Sequence, residues 1–292
     1  MGTTTTYWQP FDVLNAHENE QRLHRDFVLV VLNQPMELSN IIYAETWRNS
    51  ILHIGADGGA NRVRGVNVRH KVEPHSKEFL NLDLVIGDLD SLESDTKAYW
   101  HELGTSIIKD PDQETTDFTK AVNYARNLDS KKYSDLISAS TLHGQRTQVL
   151  DESRYNMKTR DILCIGGLGG RIDQGLSTMH HLYMFQKDPS YSSGRVFLLS
   201  SEGITFVLKS GNHEIKVRDK SQICGLGKHI GIIPLREPSV ITTKGLKWDV
   251  SDWPTAFGDR ISTSNHVDAE YVTVETTKDV LFTIDLDTSF VS

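Results

Sequence analysis

Cysteine is nearly absent from this chain: its 292 residues include two, Cys164 and Cys224, far apart and outside any Cys-x-x-Cys spacing. That excludes a disulfide framework and a structural zinc site, and leaves both residues as small buried apolar groups. Long hydrophobic runs are missing too. The longest aliphatic stretches, such as Phe27 to Leu32, are far too short to span a bilayer, and no signal-peptide pattern precedes them. The expectation is a cytoplasmic protein with no membrane contact. Positive charge is also short, with 31 Lys and Arg against 39 Asp and Glu and a net charge of −8. This balance argues against nucleic acid as a partner and favours a cationic or metal-loaded ligand.

What is present suits a globular protein with a true core: 38% hydrophobic and 24% charged residues. The length exceeds one average domain, so two unequal domains are expected. The first part alternates apolar strand, turn and helix, the signature of an open, mainly parallel sheet covered on both faces. Strands are expected at Phe27 to Leu32, Ile51 to Ala56, Asp83 to Ile86, Ser106 to Lys109, Asp161 to Ile165 and Arg195 to Leu199. Helices are expected at Leu92 to Leu103, after Asp117 and over Ile172 to Gln186. The second of these carries Phe118, Ala121, Val122, Ala125 and Leu128 at helical spacing, which defines one buried stripe.

After about Tyr191 short β-type segments follow one another, among them Ile204 to Leu208, Glu214 to Val217, Ile230 to Pro234, Tyr271 to Glu275 and Val280 to Ile284. The fold class is therefore α/β followed by all-β: a Rossmann-like, mainly parallel sheet domain and a C-terminal antiparallel β-sandwich. The expected division is an N-terminal extension over 1–26, an α/β domain over 27–190 and a β domain over 191–292. A polar stretch at about 130–160 reads as an insertion, in which only Asp135 to Ala139 resembles a strand fragment.

Chemistry-bearing residues gather where strands give way to helices, the junctions at which open α/β sheets collect ligands. Gly87-Asp88-Leu89-Asp90-Ser91 follows an apolar run, and alternation along an extended chain puts Asp88 and Asp90 on one face, able to hold Mg2+ against a phosphate. The plainer reading is a polar turn with Ser91 as a helix N-cap. Asp112 to Asp117 supplies a second acidic cluster. Asp117 opens a helix with Lys120 one turn on, so it either complements the helix dipole or joins a metal site with Lys120 as a phosphate contact. Ala56-Asp57-Gly58-Gly59-Ala60-Asn61 is a tight turn or a close approach to a ligand. Gly166 to Gln174 is glycine-rich and armed with Arg171, Asp173 and Gln174, which suits phosphate. It is neither a Walker loop nor a Gly-x-Gly-x-x-Gly fingerprint. In the helix beyond it, His180 and His181 read as structural or exposed. Trp248, in Gly245-Leu246-Lys247-Trp248, is either core or a face for a flat cationic ring.

Taken together and in this order, these segments, with Ser262 to Asn265, resemble the thiamine pyrophosphokinase family. The motif framework spans roughly residues 27 to 285, and the joint match is far more specific than any single segment. The resemblance implies a Rossmann-like catalytic domain followed by a β-sandwich, a homodimer, and transfer of pyrophosphate from ATP to thiamine with release of AMP. Carried over by position, Asp88, Asp90 and Asp117 resemble the Mg2+ site, while Gln113, Lys120, Arg171 and Gln174 resemble contacts to ATP. Asp173 joins that polar floor. Trp248 resembles the tryptophan that stacks on thiamine across the subunit interface, with Asp57, Ser264 and Asn265 near the vitamin. Asp117, Asp88 and Asp173 are all open as acceptors of the hydroxyl proton. The insertion at about 130–160 is similar to that of fungal members. Two other readings of the same residues are a non-catalytic thiamine or nucleotide sensor and a Mg-dependent phosphohydrolase.

Overall fold

The computed structural model describes residues 4–10, 27–74, 76, 78–139, 160–218 and 225–287. Most of the N-terminal extension, the greater part of the 130–160 insertion and Cys224 lie outside these residues. The chain opens with β1 (Thr5–Trp8) and then alternates: β2 (Phe27–Val31), α1 (Asn40–Asn49), β3 (Ser50–Ala56), α2 (Gly59–Arg69), β4 (Leu84–Gly87), α3 (Ser94–Glu102), β5 (Ser106–Lys109), α4 (Asp117–Asn127), α5 (Ser130–Ala139), β6 (Ile162–Ile165), α6 (Ile172–Phe185) and β7 (Val196–Leu199). Strands alone follow among the described residues: β8 (Gly203–Leu208), β9 (Gly211–Lys216), β10 (Leu226–Ile233), β11 (Ser239–Lys244), β12 (Trp253–Thr255), β13 (Ser262–His266), β14 (Tyr271–Thr276) and β15 (Val280–Leu286).

Two sheets result. A ten-stranded sheet runs in the order β13-β10-β15-β8-β7-β6-β2-β3-β4-β5, parallel from β7 to β5 and antiparallel from β7 to β13. The parallel strands β2, β4, β6 and β7 are buried at every position, because helices cover both faces. A five-stranded sheet, β1-β9-β14-β11-β12, forms the other half of the sandwich. Its Ile215, Ile241, Val272 and Val274 share one core with Phe206, Ile230, Phe282 and Ile284 of the larger sheet. The mainly parallel α/β unit followed by a β-sandwich is thus as expected, although hydrogen bonding runs unbroken from one to the other.

Residues 5–8 are a working part of this architecture. β1 pairs in parallel with β9, and Trp8 is 1% exposed, stacked on Phe206 at 4.6 Å with its Nε1 donating to His213 Nδ1 at 3.0 Å. A second departure is α5. Asp135 to Ala139, which resembles a strand fragment, is helical, because Tyr133 and Leu136 recur at helical spacing and are buried with Leu128 in the core under α4. Among the described residues no helix is long and apolar enough to cross a membrane.

The larger sheet has its topological switch at β2. The chain proceeds outward through β3, β4 and β5, then returns to place β6 and β7 on the opposite side of β2. Loops leaving β2 and β6 therefore diverge and open a crevice. Ser264 and Asn265 sit elsewhere, on β13, which is separated from β4 by eight strand steps, roughly 38 Å at the usual interstrand spacing.

Candidate active site

The crevice is a cleft of about 240 Å³, bordered by Asn33 and Gln34 after β2, Asp57 and Gly58 after β3, Thr116 and Asp117 at the start of α4, Gly166 and Gly167 after β6, and Gln174 and His181 on α6. Three carboxylates converge here. Asp57, Asp88 and Asp117 each offer an oxygen, and the three oxygens lie within 4.8 Å of one another. Gly87 makes this approach possible: a Cβ there would lie 2.7 Å from Asp57 Cβ and 2.9 Å from Asp117 Oδ1.

Hydrogen bonds hold the acids in place. The Asp88 N–H donates to Asp117 Oδ1 at 3.1 Å, and the Ser91 N–H donates to Asp57 Oδ2 at 3.0 Å. Asn61 ties the same loop to α2, its Nδ2 donating to the Ser91 carbonyl at 2.8 Å. Asp57 and Leu89 both have positive φ, 43° and 65°. The chain after β4 is therefore not extended, and strand alternation is not what relates Asp88 to Asp90. Asp90 is exposed. Its N–H donates to Asp88 Oδ1 at 3.1 Å, and its Oδ1 accepts from Ser91 Oγ at 3.0 Å. It stands beside the three-carboxylate group without belonging to it.

The environment splits these acids. Burial pushes Asp57 up to about 6, helped by the charges of Asp117, Asp90 and Asp88 and opposed by the Ser91 N–H. Asp88 is held below the usual carboxylate range, chiefly by the Asp90 N–H, then by Gln113 Nε2 at 3.1 Å and the Lys120 charge. Asp57 Oδ1 is buried and has no hydrogen-bond partner among the described residues. An all-oxygen set with one buried, unpartnered carboxylate oxygen fits a hard divalent cation such as Mg2+.

The remaining expected residues fall into three groups. Lys120 is buried behind Asp117, its Nζ 3.2 Å from Asp117 Oδ1 and 3.1 Å from the Asp110 carbonyl. Arg171 and Asp173 form a two-pronged pair at 3.1 and 2.6 Å on the exposed first turn of α6, and that pairing lowers Asp173, making it a poor proton acceptor. Trp248, Ser264 and Asn265 lie together in the sandwich. Trp248 is 53% exposed with Lys247 Nζ 4.9 Å from its ring centre. Asn265 is buried and clamps the Trp248 turn, accepting from the Trp248 N–H and donating to its carbonyl. Asp57, which the resemblance places near the vitamin, sits with Asp88 and Asp117.

His181 belongs to the cleft, although its sequence context reads as structural or exposed. Its Nε2 is 2.7 Å from Thr116 Oγ1, and burial lowers its pKa. No spacing rule exposes this link, because Thr116 and His181 lie on different helices.

The fold and the cleft define a doubly wound α/β unit with an acidic, phosphate-suited site at its switch point and a β-sandwich attached. Residues 43–191 match the family model for the thiamin pyrophosphokinase catalytic domain, and residues 212–281 match that for its vitamin B1 binding domain. Thiamine pyrophosphokinase 2 of Arabidopsis thaliana is 34% identical over 268 residues, covering 89% of this chain and 86% of the relative. The Saccharomyces cerevisiae enzyme is 28% identical over 293 residues, covering 92% and 88%. Among solved structures, yeast thiamin pyrophosphokinase aligns with a TM-score of 0.77 at 25% identity, covering 99% of this chain and 93% of that one. The Candida albicans protein aligns at 0.71 and 25%, covering 97% and 93%. The chain belongs to the thiamine pyrophosphokinase family, and it is an enzyme of that class. Neither the sensor nor the phosphohydrolase reading gains support from these relatives.

Proposed function

We propose that the chain transfers the terminal pyrophosphoryl group of ATP to the hydroxyl of thiamine, giving thiamine diphosphate and AMP, with the 240 Å³ cleft as the nucleotide phosphate site. The observation that carries the site assignment is the convergence of Asp57, Asp88 and Asp117 oxygens within 4.8 Å. In this reading Asp88 and Asp117, with the unpartnered Asp57 oxygen, would hold Mg2+, and the exposed Asp90 beside them would complete the acidic set. When bound, the ion neutralises charge on the phosphate chain.

Lys120, fixed by Asp117 and the Asp110 carbonyl, presents its ammonium to the phosphates. Gln113, Gln174 and Arg171 add donors around them. The thiamine hydroxyl forms its new bond to the β-phosphorus as the bond between that phosphorus and the oxygen bridging to the α-phosphate breaks; AMP departs with that oxygen. Positioning and fixed charge supply most of the rate.

Trp248, with Ser264 and Asn265, binds thiamine. Eight strand steps separate β13, which carries Ser264 and Asn265, from β4, which supports a reading in which the sandwich of a second copy completes each site. The proposal thus includes a homodimer, a nucleotide-binding function for 27–190, a thiamine-binding function for 191–292, and a cytoplasmic setting. Incubation with ATP, Mg2+ and thiamine, followed by chromatography, tests it. Equal amounts of thiamine diphosphate and AMP are expected; free phosphate released without any need for thiamine would overturn the reading.

A further inference from the structure

A chain of hydrogen bonds crosses the cleft from α6 to the start of α4. His181, midway along α6, is 6% exposed and borders the cleft that Asp57, Asp117 and Gln174 also line. Its Nδ1 is 2.6 Å from the Ser177 carbonyl oxygen, which can only accept, so Nδ1 carries the proton and Nε2 offers a lone pair. Nε2 lies 2.7 Å from Thr116 Oγ1. The threonine hydroxyl therefore donates to the ring and keeps a lone pair for the Thr119 N–H, which donates to it at 3.2 Å. With the imidazole neutral, the His181–Thr116 bond runs from the threonine hydroxyl to the ring, and the Thr119 hydroxyl, 3.1 Å from Thr116 Oγ1, can donate to it as well. The imidazole is also held by ring contacts to Phe118 at 5.4 Å and Phe185 at 5.8 Å.

The relay ends at a significant place. Thr116 is the N-cap of α4, Asp117 is the next residue, and Lys120 follows one turn later. α6 begins at the glycine-rich turn after β6 and carries Gln174. The bond between His181 and Thr116 thus joins the helix that carries Asp117 and Lys120 to the one that carries Gln174.

Resting on the activity proposed above, we infer that His181 is a positioning residue for pyrophosphoryl transfer: by accepting the Thr116 hydroxyl it sets the start of α4, and with it Asp117 and Lys120, against α6. It touches no reacting atom in this role. A histidine serving only as core filling would affect stability and leave the metal site unchanged.

Four variants of the full chain test the inference: His181→Leu, His181→Gln, Thr116→Val and Thr116→Ser, each measured by steady-state kinetics and by calorimetric titration with Mg2+ alone. His181→Leu and Thr116→Val are expected to lower kcat by about tenfold or more, in line with the cost of small misplacements, while KM for thiamine is unchanged. Both should weaken Mg2+ binding. The double variant should be little worse than the more impaired single one, because both remove the same bond. His181→Gln, whose Oε1 can accept the hydroxyl, and Thr116→Ser should recover most of the loss. Wild-type kcat and Mg2+ affinity in folded His181→Leu, or losses that multiply in the double variant, would overturn the inference. Should His181→Leu fail to fold, Thr116→Val severs the bond from its exposed side and decides by the same readouts. Failure of the unaltered protein to make thiamine diphosphate would count against the activity instead, and the Mg2+ titrations would still report on the relay.

Discussion

Lys120 Nζ lies 3.2 Å from Asp117 Oδ1, and the lysine side chain is only 2% exposed. The pair is therefore part of the fold as well as of the proposed site. Asp117 is 29% exposed, so removing its charge strands the buried ammonium at a cost of about 1–3 kcal/mol, below that of a fully buried pair. Asp117→Asn should lower both stability in urea and turnover. Asp90→Asn, at an exposed carboxylate, should reduce turnover by orders of magnitude with the unfolding midpoint unchanged. A shared midpoint for both variants would show that the Asp117 pairing carries no structural weight.

Gly87→Ala should separate the acids. The added methyl would meet Asp57 Cβ at 2.7 Å and Asp117 Oδ1 at 2.9 Å, both closer than such atoms tolerate. Overpacking of this kind costs about 1–3 kcal/mol, so a folded protein with weakened Mg2+ binding and a large loss of kcat is expected. Calorimetric Mg2+ affinity equal to wild type would contradict the geometry.

Asp57 makes the metal-free protein sensitive to pH in an unusual direction. Its folded pKa is raised to about 6, above the ordinary carboxylate value of 3.8, so the folded state binds the proton more tightly than the unfolded one. The contribution of this group is fully present below pH 3.8 and is lost as pH rises towards 6. Wild type should therefore lose stability relative to Asp57→Asn over that window, as followed by thermal unfolding without metal. Saturating Mg2+ should offset the loss in wild type. A pH-independent difference between the two proteins would refute the assignment.

The two-chain site can be tested by mixing. Trp248→Ala should raise KM for thiamine about tenfold through loss of a stacked face. Asp90→Asn and Trp248→Ala subunits, unfolded and refolded together, form mixed dimers with one intact site. Assayed at thiamine well below KM, where Trp248→Ala chains contribute little, random pairing should then restore about a quarter of wild-type activity. No recovery would mean that each chain completes its own site.

Trp8 joins an N-terminal strand to the sandwich core, with Arg195 Cζ 4.3 Å from its ring centre and Tyr191 edge-on at 5.1 Å. Trp8→Ala should cost about 3–5 kcal/mol, read from the urea midpoint. A shift smaller than about 1 kcal/mol would show that β1 is dispensable.

Most of the strand-to-helix junctions were legible because each depends on a short stretch of chain. The stripe of α4 and the strand ends at Gly87 and Gly166 lie where they are expected, although the chain from Asp88 to Asp90 is not extended. Other elements were hidden for local reasons. In α1, buried Glu45 and Thr46 blur the apolar period, and α2 opens on two glycines that read as a turn. β1 is four residues long and takes its meaning from β9, more than two hundred positions away.

Local order along the chain set the class of fold, the order of motifs and the residue types available for chemistry, since strands, helix caps and turns answer to near neighbours. Pairing across the larger sheet settled the rest. It brought Asp57 to Asp88 and Asp117, placed His181 on Thr116, and put β13, whose Asn265 clamps the Trp248 turn, eight strand steps from β4. Such meetings arise only when strands from distant parts of the chain pair in one register, and no spacing within a single motif encodes that register.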